Sequence, residues 1–400
     1  MKIKDLYQKN SSKIILLVAD GLGGVPHPDF NNLTELEYAK TPNLDTITPK
    51  SVLGLTIPVD YGITPGSGPA HFSLFGYNPE EIEIGRGALE AYGIGHIMND
   101  KELAIRANFC TIREDRTVTD RRAGRIDTEE MKRIVGKLSE KIKEIHGYRI
   151  KFLPGKEHRF VIIIEGDNLD DHITDTDPQK EGLSLLKAEP LEERAETTAQ
   201  IVNALVDQIL EALKDEPKAN GVLLRGYSLK PKVESFTEKF GLRALSLANY
   251  PMYKGITRIL GMDTPDLGDN FSDLLKYLME QYNEYDFIYL HYKYTDKAGE
   301  DGDFLKKVQY IEELDKYIPE ILSLNPEVLV LTGDHSTPSL LKSHSWHPNP
   351  TLLLSRYAGF DNIEKFTERN CRNGSLGIIY ANKLLPIAAA CALKLKKWGA

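Results

Sequence analysis

Three stretches of the chain share one pattern. KIILLVADG (13–21), EYDFIYLHYK (284–293) and EVLVLTGDH (327–335) are each an apolar run that ends in polar residues. Runs that are apolar almost throughout, rather than at alternate positions, predict strands covered by helices on both faces, as in a parallel sheet. Between the last two, DGDFLKKVQYIEELDKYIPEIL (301–322) repeats its apolar positions at helical spacing. The stretch from 284 to 335 therefore predicts a strand, helix, strand unit. Open α/β sheets hold their ligands beyond the C-terminal ends of their strands. Asp20, Asp296 and Asp334 each follow one of these runs, so they are expected to converge.

The middle of the chain reads differently. TVTDRRAGRIDTEEMKRIVGKLSEKIKEI (117–145) is a basic turn followed by a long charged helix. HRFVIIIEG (158–166) and NGVLLRG (220–226) predict strands, with a helix near 196–214 between them. DNLDDHITDTDPQKEG (167–182) is a polar loop and KDEPKANG (214–221) a turn. The simplest organisation is a smaller α/β domain, residues 107–241, inserted into a discontinuous core domain of residues 1–106 and 242–400. SLGIIYANKLLPIAAACALKLKK (375–397) predicts a strand or turn and then a closing helix. There is no internal repeat and no low-complexity tract.

Composition narrows the class. With 400 residues, two domains are the default. Hydrophobic content of 41% and charged content of 27% are ordinary for a globular enzyme. A net charge of −9 argues against a broad basic face for nucleic acid. Cys110, Cys371 and Cys391 are scattered and odd in number, which fits a reducing compartment and excludes a disulfide framework. No apolar stretch approaches the length of a membrane span, and IILLVA is too short and too late for a signal peptide. The expectation is a cytoplasmic protein with no nucleic-acid or membrane partner.

The strand ends carry the candidate chemistry. Asp20 stands in ADGLGG, which lacks the spacing of a dinucleotide loop; an Asx turn or helix N-cap is the plain alternative. In GITPGSGPAHFSLFGYNP (62–79), Ser67 lies in a Gly/Pro-rich turn before a predicted helix. It is either an N-cap or a hydroxyl that attacks phosphate, held where unpaired N–H groups favour anions. No GxSxG signature accompanies it, so metal activation is the natural alternative to a catalytic triad. HYKYTDKAGEDGD (291–303) offers Asp296 and Glu300, four apart, with an acidic helix-capping loop as the other reading. TGDHSTPSLLKSHSWHP (332–348) crowds Asp334, His335, His344 and His347 behind one strand. Imidazole and carboxylate together suit zinc, manganese, iron or cobalt better than calcium.

VADGLGG, AKTPNLD, TPGSGPAHFSLFGY, GRGALEAYGIG, RANFCTI, DRRAGRI, TDTDPQ, LLRGYS, ANYPMYKG, AGEDGD and TGDHSTP run over essentially the whole chain. Together they make it resemble the archaeal-type cofactor-independent (2,3-bisphosphoglycerate-independent) phosphoglycerate mutases of the alkaline phosphatase superfamily. The resemblance implies an alkaline phosphatase-like three-layer α/β core with a mostly parallel sheet. It implies interconversion of 3-phosphoglycerate and 2-phosphoglycerate through a phosphoserine on Ser67. It also implies two divalent metal ions, manganese foremost, with zinc, cobalt or magnesium as alternatives. Carried over by position, Asp20, Ser67, Asp334 and His335 hold one ion, and Asp296, Glu300 and His344 the other. Glu300 departs from the family pattern, which has His there. His347 has no firm role, with support of the ligands from behind or contact with substrate both open.

Arg106, Arg121, Arg122, Arg125 and Arg159 are the candidates for binding substrate, because a guanidinium grips carboxylate and phosphate in a fork. Solvated surface charge is the alternative for each. Lys254 in YPMYKG is a candidate phosphate contact. The rivals are a phosphatase or phosphodiesterase on the same scaffold, another phosphomutase or phosphotransferase, and a non-catalytic metal-binding protein. Free phosphate without mutase turnover would mark the hydrolase, a kinase would need a nucleotide site, and loss of Ser67 or Asp334 would mark the non-catalytic form. The sequence leaves the oligomeric state open.

Overall fold

The computed structural model describes residues 3–82 and 84–399. In chain order its strands are β1 (Ile14–Ala19), β2 (Val52–Ile57), β3 (Glu102–Ile112), β4 (Val118–Asp120), β5 (Glu144–Ile145), β6 (Tyr148–Pro154), β7 (Arg159–Glu165), β8 (Gly221–Leu229), β9 (Ala244–Leu247), β10 (Phe287–Tyr292), β11 (Val328–Thr332), β12 (Asn349–Leu354) and β13 (Gly377–Tyr380). The chain divides into two compact units, one of residues Met1–Ile82 and Glu234–Ala400, the other of Glu83–Val233.

The first unit is built on a seven-stranded sheet ordered β13-β2-β12-β11-β1-β10-β9. β1 lies at its middle, parallel to both β10 and β11, and β12 alone runs against its neighbours. All positions of β1, β10 and β11 are buried, as runs apolar on both faces require. Ile15, Leu17 and Ala19 pack with Leu274, Leu278, Ile311, Leu314 and Ile318 of the helices on one face. On the other, Ile14, Leu16, Phe287 and Val330 share a small void with Leu74, Leu384, Leu385 and Ala388 of two further helices. The core is thus three layers, helix, sheet and helix. The helical stretch expected over 301–322 is two helices, Phe304–Asp315 and Ile318–Ser323. Pro319 opens the second, where its missing N–H costs no helical bond.

The second unit is an antiparallel sheet centred on β3, which pairs with β4, β7 and β8, while β6 joins β7 to β5. Two of its helices, Thr128–Lys141 and Glu196–Leu213, cover one face: Met131, Ile134, Leu138, Val202, Leu205 and Ile209 meet Leu103, Ile105, Ala107 and Phe109 of β3, while the Arg86–Gly93 helix packs on β3 and β8 from the other. The division of the chain differs from the expected boundaries at 107 and 242. β3 is one continuous strand, so a boundary at 107 would cut it. The Phe236–Phe240 helix belongs with the first unit, where Phe236 lies against Phe287, ring centroids 4.9 Å apart. No described helix is long and apolar enough to cross a membrane.

Candidate active site

The polar ends of β1, β10 and β11 and the segment leading into β12 lie at one edge of the core sheet, as their pairing directions require. Asp20 follows β1 directly, and Gly21 turns the chain away at φ +64°. A Cβ on Gly21 would stand 2.6 Å from Thr337 Oγ1 and 2.9 Å from Asp296 Cα, so only glycine permits this approach. Asp296 lies not in a loop but in the Tyr294–Glu300 helix after β10. It therefore shares a helix face with Glu300, one turn on. The capping role in this acidic stretch falls to Asp303, which accepts from Lys306 N.

Ser67 is the first residue of the Ser67–Leu74 helix, and Gly66 occupies the N-cap. The serine hydroxyl does not cap the helix; it lies 3.2 Å from Nε2 of His335. That same nitrogen is 3.2 Å from Asp334 Oδ2 and 3.5 Å from Asp20 Oδ1. On the other side of the ring, His335 Nδ1 is 2.9 Å from Thr337 Oγ1, whose hydroxyl donates to Asp296 Oδ1 at 2.7 Å. With the Thr337 proton given to Asp296, Nδ1 must carry the imidazole proton, and Nε2 presents a lone pair. His344 is arranged alike: Nδ1 donates to the Pro65 carbonyl at 3.0 Å, and Nε2 faces Asp296 Oδ1 at 3.7 Å and Glu300 Oε1 at 3.9 Å. The His335 and His344 rings stack with centroids 3.6 Å apart.

Two groups of ligand atoms result, Asp20, Asp334 and His335, and Asp296, His335 and His344. Asp20 Oδ1 and Asp334 Oδ2 are buried with no hydrogen-bond partner. Burial, reinforced by the Asp20 charge, pushes the Asp334 carboxyl well above the usual range. Burial likewise raises Asp296, to about 6, with the Asp20 charge adding to it. At Asp20 burial is outweighed by His291, His335 and the Tyr253 hydroxyl, which donates to Oδ2 at 2.6 Å, and the pKa falls. Burial holds His335 down to about 3, keeping it neutral as a ligand. Orphaned buried oxygens around neutral imidazoles are a donor set that fits a divalent cation.

The remaining expected residues are distributed unevenly. Glu300 reaches toward His344 with a side chain that is 55% exposed. His347 joins neither group; its Nδ1 is 3.1 Å from Ser345 Oγ. Lys254 is buried and paired with Asp266 at 3.0 Å. In the second unit, Arg106 and Arg159 lie on the sheet face opposite the Thr128–Lys141 and Glu196–Leu213 helices: Asn108 pairs with Arg159 and Arg106 with Arg225. Nε of Arg106, of Arg159 and of Arg225 is buried without a hydrogen bond, with Glu90 Oε1 3.5 Å from the first and Asp175 Oδ2 3.7 Å from the last. Arg121 is committed to the buried Asp177 through two hydrogen bonds, 2.6 and 3.3 Å. Arg122 and Arg125 are exposed in the turn after β4. Sequence reasoning missed Arg225, Tyr253, His291, Thr337 and His71. His71 Nδ1 donates to the Ser67 carbonyl at 2.8 Å from one helical turn on, a spacing visible in SGPAH.

The family model of the "2,3-bisphosphoglycerate-independent phosphoglycerate mutase" matches residues 49–219. The "Probable 2,3-bisphosphoglycerate-independent phosphoglycerate mutase" of Thermotoga maritima is 50% identical over 398 residues, spanning 100% of this chain and 98% of its own. That of Thermus thermophilus is 49% identical over 401 residues, with the same coverage. The chain belongs to the 2,3-bisphosphoglycerate-independent phosphoglycerate mutases, in their archaeal type. Among solved structures, a Pyrococcus horikoshii protein superposes with a TM-score of 0.83 at 29% identity, covering 98% of this chain and 100% of that one. The cofactor-independent phosphoglycerate mutase of Thermoplasma acidophilum gives 0.75 at 29% identity, covering 95% and 100%.

Proposed function

We propose that this mutase interconverts 3-phosphoglycerate and 2-phosphoglycerate through a phosphoserine on Ser67, without 2,3-bisphosphoglycerate. The observation that carries this is the Ser67 hydroxyl, 3.2 Å from His335 Nε2 beside two buried, unsatisfied carboxylate oxygens. The Nε2 lone pair beside the hydroxyl is shared with Asp20 and Asp334 oxygens, an arrangement that suits a cation better than a lone general base.

Asp20, Ser67, Asp334 and His335 hold one divalent ion, and Asp296, Glu300 and His344 the other, manganese in the first instance. Bound there, the ions lower the pKa of a hydroxyl and stabilise charge on phosphoryl oxygens. Ser67 Oγ gives up its proton and attacks the phosphorus of 3-phosphoglycerate; the Oγ–P bond forms, the bond from phosphorus to the substrate O3 breaks, and O3 takes up a proton. O2 of the glycerate then gives up its proton and attacks the phosphorus; the O2–P bond forms, the Oγ–P bond breaks, and Ser67 Oγ is reprotonated. Arg106 and Arg159, each with a buried Nε that makes no hydrogen bond, bind carboxylate or phosphate. Arg122, Arg125 and Lys254 are further candidates for contact with the anion, while Arg121 serves chiefly Asp177.

The test is chelator-stripped enzyme restored with Mn²⁺ and given 3-phosphoglycerate with no 2,3-bisphosphoglycerate. Enolase coupling reports 2-phosphoglycerate, and free phosphate is followed in parallel. Metal-dependent 2-phosphoglycerate with little phosphate is the expected result. Phosphate without 2-phosphoglycerate would make the site a hydrolase.

A further inference from the structure

Lys307, in the Phe304–Asp315 helix, is fully buried. Its ammonium does not contact a carboxylate; it donates to two backbone carbonyls, Gly23 O at 3.0 Å and Thr337 O at 2.8 Å. A buried lysine costs stability unless its charge is balanced, and apolar side chains pack at this depth without that cost. Burial lowers the Lys307 pKa, and Glu35, Glu368 and Asp296 at longer range offset only part of that. The two carbonyls belong to the loops that leave β1 and β11, the loops that carry Asp20 and the Asp334–His335 pair. Thr337 N also donates to Gly23 O at 3.1 Å, so backbone and lysine join the same two loops. Thr337 is the residue whose hydroxyl lies between His335 and Asp296. Close packing fixes it further: a Cβ on Gly299 would stand 2.2 Å from Thr337 O.

We propose that Lys307 is a positioning residue for the metal centre. It clamps the β1 and β11 loops together and so sets the Thr337 hydroxyl, which orients His335 and Asp296, one ligand from each ion's set. The inference rests on the two-ion reading given above. Groups that orient ligands from behind are worth about 10–100-fold in metal affinity.

The experiment titrates stripped full-length enzyme with Mn²⁺ alone, read by calorimetry and by the loss of free Mn²⁺ signal in electron paramagnetic resonance. Lys307→Met, which keeps the length and loses the donor, is expected to weaken at least one of two sites by about 10–100-fold. Its kcat falls while KM for phosphoglycerate moves less than about threefold, because the clamp touches no substrate. Thr337→Val is expected to match it, Thr337→Ser to restore near wild-type binding, and the double variant to be no weaker than either single one. A folded Lys307→Met protein with wild-type affinity at both sites overturns the proposal. If Lys307→Met does not fold, Thr337→Val decides: wild-type affinity there removes the link through which Lys307 acts. Wild-type enzyme that binds no Mn²⁺ would instead overturn the two-ion reading itself.

Discussion

His335 Nδ1 lies 2.9 Å from the hydroxyl of Thr337, and that contact decides which side of the imidazole is free. Nε2 is left to face Ser67, Asp20 and Asp334 with a lone pair. A threonine two residues along the same loop thus sets the protonation of a ligand. Removing its hydroxyl would leave the ring free to present a proton where a cation should be.

Ser67→Ala is expected to lower mutase turnover by on the order of 10³-fold or more while the fold is kept. The variant should also fail to acquire phosphate. Intact mass spectrometry after mixing with substrate checks this; a serine-bound phosphate in wild type and none in the variant is the expected pair. Turnover retained in Ser67→Ala would exclude the phosphoserine route.

Stripping divalent metal should destabilise the enzyme. Binding adds about 2.7 kcal/mol per independent site at a free metal concentration 100 times Kd. Thermal unfolding with chelator and with Mn²⁺ should therefore differ by several degrees. Asp334→Asn should not lower the stability of stripped enzyme, since burial and Asp20 already disfavour the charged carboxylate there. The same variant should lose the stabilisation that Mn²⁺ gives.

Asp296→Ala and Glu300→Ala should separate in metal affinity. Asp296 stands between His335 and His344, and its Oδ1 is fixed by Thr337. Glu300 is half exposed and 3.9 Å from His344 Nε2. Calorimetry with Mn²⁺ should show a loss of about 100-fold for the first and about 10-fold or less for the second.

Arg121→Ala should act on stability before it acts on substrate. It leaves Asp177, whose side chain is fully buried, with Arg225 at 3.4 Å as its other cation and the Gln179 N–H at 2.8 Å. Breaking a buried pair on one side costs about 3–5 kcal/mol, and the second arginine should bring this down to about 2–3. Denaturant unfolding measures it. Arg125→Ala, at an exposed turn, should unfold like wild type.

Stability should fall as pH rises through neutrality, and Glu368 is one cause. Its carboxyl accepts from Gly24 N at 3.0 Å and Thr34 Oγ1 at 2.6 Å. Burial, joined by the Glu35 charge, nevertheless pushes it up to about 7. A group raised in the folded state stabilises fully below its unfolded pKa, near 4.5, and loses that contribution as pH climbs past 7. Glu368→Gln should flatten the decline between pH 5 and 8 by at most about 3 kcal/mol. Melting temperatures across that range, wild type against variant, test it.

The three all-apolar runs located β1, β10 and β11 to within a residue or three, because a strand buried on both faces leaves no ambiguity of period. Their polar ends converged for the same reason. β2, β12 and the long β3 went unread. β2 and β12 are short and broken by Gly54 and Pro350, and β3 carries Arg106 and Asn108 among its apolar residues. Asp20, Asp334 and His335, which the motifs singled out, are brought together by the fold. The helix under Asp296 was hidden by Gly299 and the acidic run around it, which read as loop. Tyr253, Thr337 and Lys307 were beyond reach, since each acts through a contact far away in sequence. The Arg121–Asp177 pair was also beyond reach, because a guanidinium that holds a buried aspartate has the same letters around it as one that holds a substrate.

The centre of the core sheet has a consequence for how the chain is made. β1 pairs only with β10 and β11, and Gly21 N finds Asp334 Oδ1 across 313 residues. At 5–20 residues per second a ribosome needs roughly 15–60 s to cover that distance. Until β10 is made, about 270 residues on, the six residues of IILLVA, apolar on both sides, have no partner strand. The Glu83–Val233 unit is continuous in sequence, so it can fold while the rest is still emerging. Newborn chains of this enzyme therefore pass through a period in which the insert is finished and the strand at the heart of the catalytic unit is still bare, open to chaperones and to other chains.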